Sequence, residues 1–144
     1  MSDLVVLLII GAGIIYLGLG VLHLRYTFFG TRFHPHDAGL KEKMEIATLR
    51  ITRQTTLWKA WMGFNASHST GAIFFGFVLI YASLAQPWHR EYLVVLLGVS
   101  IIHSTFYTWL ARKYWFSIPF IGCLTSTLFL LAAGLLVAAN PYSA

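Results

Sequence analysis

Four stretches of this chain, roughly 4–28, 57–85, 92–111 and 116–139, are apolar for twenty residues or more with few interruptions. At about 1.5 Å of helical rise per residue each reaches across a hydrocarbon layer of about 30 Å. Inside lipid a backbone has no water to bond, so a segment of this kind satisfies its own N–H and C=O groups as a helix. The sequence therefore predicts an all-α integral membrane protein, a four-helix bundle forming one domain over 1–144. With 58% hydrophobic and 10% charged residues in 144, little chain remains for a separate soluble domain.

Ten Lys and Arg against five Asp and Glu would suggest nucleic acid in a soluble protein, but here their positions explain them better. Arg25, Arg32, Lys41, Lys43, Arg50, Arg53 and Lys59 fall between the first two runs, and Arg112 and Lys113 between the last two. The positive-inside rule then puts both basic loops in the cytoplasm and both termini outside. Asp3 before the first run and Arg25 after it reverse the charge pattern of a signal peptide, so this run reads as a retained helix inserted N-out. Cys123, the single cysteine, allows no intrachain disulfide and reads as a small packing residue.

Gly11, Gly13, Gly18 and Gly20 mark the packing face of the first helix, because glycines let helix backbones approach closely in lipid. That helix ends at Arg25 or runs on to Gly30. Pro35 disfavours helix at His34, and Asp37 is placed to cap a helix starting just after it. Leu40, Met44, Ala47 and Ile51 recur at helical spacing among charged residues, which predicts a short amphipathic helix on the cytoplasmic surface. Thr55 or Thr56 then caps the second span. Short junctions at 86–91 and at Arg112-Lys113 make the second, third and fourth spans antiparallel neighbours. Trp58, Trp61, Trp109, Tyr114 and Trp115 gather at the cytoplasmic ends of the runs and Trp88, Tyr92 and Tyr142 at the outer ones, as interfacial belts do.

The second span opens with polar residues: Asn65, Ser67, His68 and Ser69 stand inside an apolar run. Unpaired polar groups in hydrocarbon cost on the order of a few kcal/mol each, so the other spans should supply partners. His68 is nine residues beyond Lys59 and His103 nine before Arg112, which sets both imidazoles at one depth. Thr125 lies nine residues beyond Phe116, and Tyr16 nine before Arg25; if the first helix continues to Arg32, His23 takes that level instead. Asn65, His68 and Ser69 share a helix face, as do Ser100, His103, Ser104 and Tyr107. The expected product is a polar pocket of Tyr16, Asn65, His68, Ser69, His103, Tyr107 and Thr125 in the cytoplasmic half.

The plainest role for such groups is interhelical hydrogen bonding that sets helix order. Sharper roles are haem b held between His68 and His103, or a transition metal on His23, His68 and His103 with help from His34, His36 or Asp37. No compact ligand motif is present. Hydrolase chemistry lacks a Gly-x-Ser-x-Gly elbow, and a proton pump lacks an intramembrane carboxylate.

The stretches His23-Leu24-Arg25-Tyr26-Thr27-Phe28-Phe29-Gly30-Thr31-Arg32-Phe33-His34-Pro35 and Thr56-Leu57-Trp58-Lys59-Ala60-Trp61-Met62-Gly63-Phe64-Asn65-Ala66-Ser67-His68-Ser69-Thr70-Gly71 resemble an uncharacterised family of small bacterial four-span membrane proteins. The likeness covers the first half of the chain well and the second half chiefly as two spans. It implies a multi-pass protein of the bacterial inner membrane and no particular reaction. Taken together, the residues and the resemblance suggest a non-enzymatic protein that either binds a small lipophilic ligand or serves as an accessory subunit of a larger membrane complex or homo-oligomer. The alternative is a haem or metal redox protein on His68 and His103.

Overall fold

A run of apolar residues from Leu4 to Leu24 has no proline to break it, and in the computed structural model, which describes residues 3–85 and 89–139, it forms one uninterrupted helix. This is α1, Asp3–Phe28; it is followed by α2 (Ala38–Ile46), strands β1 (Thr48–Leu49) and β2 (Thr52–Thr56), and helices α3 (Leu57–Leu84), α4 (Arg90–Tyr114) and α5 (Ser117–Ala139). Helices α1, α3, α4 and α5 are long and apolar enough to cross a membrane. Their bounds lie within a few residues of the expected runs. Trp88 and Tyr142, assigned from the sequence to an outer aromatic belt, lie outside the described residues.

The chain forms two compact units, one of residues up to Leu19 together with those from Ile73 onward, the other Gly20–Ala72. In the first unit one apolar cluster draws on all four long helices: Val5, Ile9 and Ala12 of α1, Leu79 of α3, Leu93 and Leu97 of α4, and Leu130, Ala133 and Val137 of α5. Helix α1 meets α3 backbone to backbone. A Cβ placed on Gly76 would fall 2.5 Å from the Gly13 carbonyl oxygen and 2.6 Å from the Leu17 nitrogen. Gly11 serves similarly, its α-carbon facing the Phe129 ring at 3.0 Å from an added Cβ. Gly18 does not belong to this packing face as the sequence suggested, since nothing lies within 4 Å of the position its Cβ would take.

Helices α4 and α5 pack antiparallel; Arg112 and Lys113, read from the sequence as the junction, belong to the last turn of α4, and only Trp115 and Phe116 connect the two helices. At one end Arg90 Nη2 donates to the Val137 carbonyl (3.4 Å), and at the other the Arg112 guanidinium lies over the Phe120 ring at 5.5 Å. Pro119 falls in the first turn of α5, where its missing N–H breaks no helical bond.

In the second unit α1 ends between the two expected points. Phe29 N–H donates to the Arg25 carbonyl, and Gly30 then turns the chain with φ +104°, a conformation that favours glycine. Asp37 caps α2 as expected, its carboxylate accepting from Gly39 N–H at 2.9 Å. The amphipathic helix is shorter than its period suggested, however. It stops at Ile46, and Ala47 and Ile51 leave it; Ile51 sits 90% exposed between the strands of a hairpin pairing Leu49 with Thr52 and Thr48 with Thr56. The competing preference is plain in the residues: Thr48, Ile51, Thr52, Thr55 and Thr56 are β-branched and prefer strand to helix. Thr56 both ends β2 and caps α3, its hydroxyl accepting from Lys59 N–H at 3.3 Å.

Candidate functional site

Among the described residues each unit holds a cluster of polar side chains, and six of the seven residues expected to share a pocket, with His23, are divided between the two clusters. In the first unit the buried stripe of α4 runs through Leu93, Leu97, Ser100, Ser104 and Ala111, and that of α5 through Cys123, Ser126, Thr127 and Leu130. Where these stripes meet, their hydroxyls join. Tyr16, 1% exposed, donates from its phenol to Ser104 Oγ at 2.9 Å. Ser104 Oγ lies 2.8 Å from Thr127 Oγ1, which itself donates to the Cys123 carbonyl at 2.8 Å. Each hydroxyl carries one proton, so the order is Tyr16 to Ser104 to Thr127 to the Cys123 carbonyl. Thr108 joins from the side, 2.9 Å from both Thr127 Oγ1 and the Ser104 carbonyl.

Beside this chain stands an aromatic group. The His103 ring lies 4.3 Å from Phe75 and 4.5 Å from Tyr107, stacked on the latter at 28°, with the Tyr16 ring 6.3 Å away. Tyr16 in turn meets Phe75 edge-on at 4.8 Å. His103 and Tyr107 stack because they are one helical turn apart on α4. The notable atom is His103 Nε2: it is buried and has no hydrogen-bond partner among the described residues.

In the second unit Asn65 is the hub. Its amide nitrogen donates to the Trp61 carbonyl at 2.8 Å, which leaves Oδ1 to face His23 Nε2 at 3.0 Å. An amide oxygen only accepts, so His23 carries its proton on Nε2. The His23 ring meets His68 edge-on at 5.4 Å and Phe33 at 4.4 Å, and Trp61 Nε1 fastens the following loop by donating to the Phe33 carbonyl at 3.2 Å. Ser69 spends its hydroxyl on the Asn65 carbonyl of its own helix at 2.6 Å.

Tyr16, His103 and Tyr107 are thus brought together in one unit, and His23, Asn65 and His68 in the other. Thr125 is half-buried and belongs to neither hydrogen-bond network among the described contacts; Thr127, which depth counting passed over, takes the position expected for it. The signal for Thr127 was its place one turn beyond Cys123, on the face that continues through Leu130. Phe75 and Thr108 were also missed, Phe75 because a phenylalanine within an apolar run carries no mark of its own. Among the described residues no group of three or more His, Cys, Asp or Glu side chains is arranged to hold a metal ion. No protein-family model, curated protein or solved structure matches this chain.

Proposed function

We propose that this is a non-enzymatic binding protein of the bacterial inner membrane, its four spans forming a bundle with both termini outside, and that it takes up a small lipophilic ligand at His103. The observation that carries the proposal is the buried, unpartnered Nε2 of His103 within a wall of Phe75, Tyr107 and Tyr16 rings. Leaving such an atom unbonded costs about 1–3 kcal/mol, which a ligand's polar group would recover. Aromatic surroundings favour an apolar ring as partner, so the ligand class is a ring-bearing, lipid-soluble molecule with a polar oxygen, such as a quinone. The second cluster, with His23, Asn65 and His68 bonded or packed to one another, is suited to fixing α1 against α3 within its own unit.

The test uses protein purified in mild detergent, with absorption spectra, metal analysis and mass spectrometry of the organic extract for the wild type, His103→Ala and His68→Ala. The expected result is a co-purifying lipophilic molecule in the wild type and in His68→Ala that is lost from His103→Ala. A Soret band or a stoichiometric metal that disappears in both variants would replace this reading with the redox one. A wild type that holds no small molecule but purifies with a larger membrane complex would make it an accessory subunit.

A further inference from the structure

The residues after α1 form an open groove which the proposed ligand site does not use. It is lined by Thr31, Arg32, His34, Pro35, His36, Lys41, Glu42 and Glu45, with a volume of about 790 Å³. Both cations are held in place by aromatic rings. The Arg32 guanidinium lies 4.3 Å from the Tyr26 ring centre, and Lys41 Nζ lies 5.2 Å from that of Trp58. His34 packs edge-on against the same Trp58 at 5.0 Å, and its N–H closes a turn onto the Thr31 carbonyl at 3.0 Å. Of the two carboxylates, Glu45 is bonded to Lys41 at 3.3 Å; Arg32 has no carboxylate within ion-pair distance among the described residues. Seven Lys and Arg against three Asp and Glu between Arg25 and Lys59 keep the whole segment positive.

We infer that this groove binds the phosphate of an anionic lipid headgroup, with Arg32 as the principal contact and Lys41, His34 and His36 completing the shell. A guanidinium with no carboxylate partner matches a phosphate's paired oxygens in a way that an ammonium does not. The choice of a lipid over a free ion rests on the apolar side chains that the same unit exposes. The apolar span ends at Phe28, and Phe29, Ile46 and Ile51 on the same unit are 74%, 81% and 90% exposed, apolar side chains that a membrane interface would cover. Headgroup phosphates lie at the depth where a span ends in aromatic and basic residues, and basic segments beside a span attract anionic lipid.

The experiment uses the full chain in neutral detergent and measures binding of short-chain phosphatidylglycerol, phosphatidylcholine and inorganic phosphate separately by native mass spectrometry and by Trp fluorescence. Arg32→Gln/Lys41→Gln is compared with Arg50→Gln/Arg53→Gln, which removes the same charge from outside the groove; circular dichroism checks that both remain helical. Phosphatidylglycerol should bind in preference to phosphatidylcholine, and the groove variant, which loses direct charge-assisted contacts, should weaken it by roughly 30-fold, while the hairpin variant, which removes only screened charge at a distance, changes it by no more than about threefold. Saturable binding of inorganic phosphate that Arg32→Gln/Lys41→Gln abolishes, without preference for the lipid, would keep the phosphate site and assign it to the soluble ion. Equal losses in the two variants, or none in either, would overturn the proposal.

Discussion

Replacing Gly76 with alanine tests the α1–α3 crossing directly. The added methyl would lie 2.5 Å from the Gly13 oxygen, 2.6 Å from the Leu17 nitrogen and 3.1 Å from the Leu17 Cα, all of them backbone atoms that no rotamer change can move. Reaching ordinary contact requires the helices to part locally by roughly 1 Å, and a gap of that size forfeits a quarter to a half of each neighbouring dispersion contact. Overpacking of this kind costs about 1–3 kcal/mol, while the gain in helix propensity from glycine to alanine is at most about 1 kcal/mol. Gly76→Ala should therefore destabilise by about 1–2 kcal/mol. Gly98→Ala is the control: nothing lies within 4 Å of its Cβ position, so only the favourable contribution remains and the change should be neutral or stabilising. Both are measured by titrating SDS into protein in mild detergent and following helicity and tryptophan emission. Equal midpoints for the two variants would refute the close crossing.

Three further substitutions examine the polar cluster of the first unit by the same titration. Thr127→Val keeps the side-chain shape but removes the hydroxyl between Ser104, Thr108 and the Cys123 carbonyl, and should cost about 1–2 kcal/mol, whereas Thr125→Val should lie within about 0.5 kcal/mol of wild type; the reverse order would misplace the network. In protein stripped of small molecules, His103→Phe replaces an unbonded buried nitrogen with an apolar ring and should stabilise by about 1 kcal/mol; a loss of similar size would mean that Nε2 has a partner.

The four long helices were legible because an apolar run of membrane-spanning length has one choice in lipid, to become a helix. Capping residues read equally well, since Asp37 and Thr56 act through neighbours two or three positions away. Within the first unit the level along a helix was legible but rotation about its axis was not. Counting nine residues from a helix end selected Tyr16 and His103 together, yet chose Thr125 over Thr127, because two positions on a helix differ by about 200° around its axis while hardly changing depth. The stop at Ile46 was hidden for a different reason. Ala47 and Ile51 continue the 3.6-residue pattern, and periodicity alone cannot tell a helix from a chain that pairs with itself beyond it. The partner of Asn65 was obscured by the uncertain end of α1; with that helix closing at Phe28, His23 lies within its last two turns and reaches Asn65.

The junction at Thr56 has a mechanical meaning. No slack separates β2 from α3: one residue ends the strand and caps the helix, and the Leu57 N–H is tied to the Ala47 carbonyl at 2.8 Å just beyond α2. A hinge needs a residue free to absorb a change in backbone angle, and none is spare there. The hairpin is therefore a crank fixed to the start of α3, so that a turn of this helix about its own axis would sweep the exposed Ile51 tip through an arc instead of being absorbed in a linker.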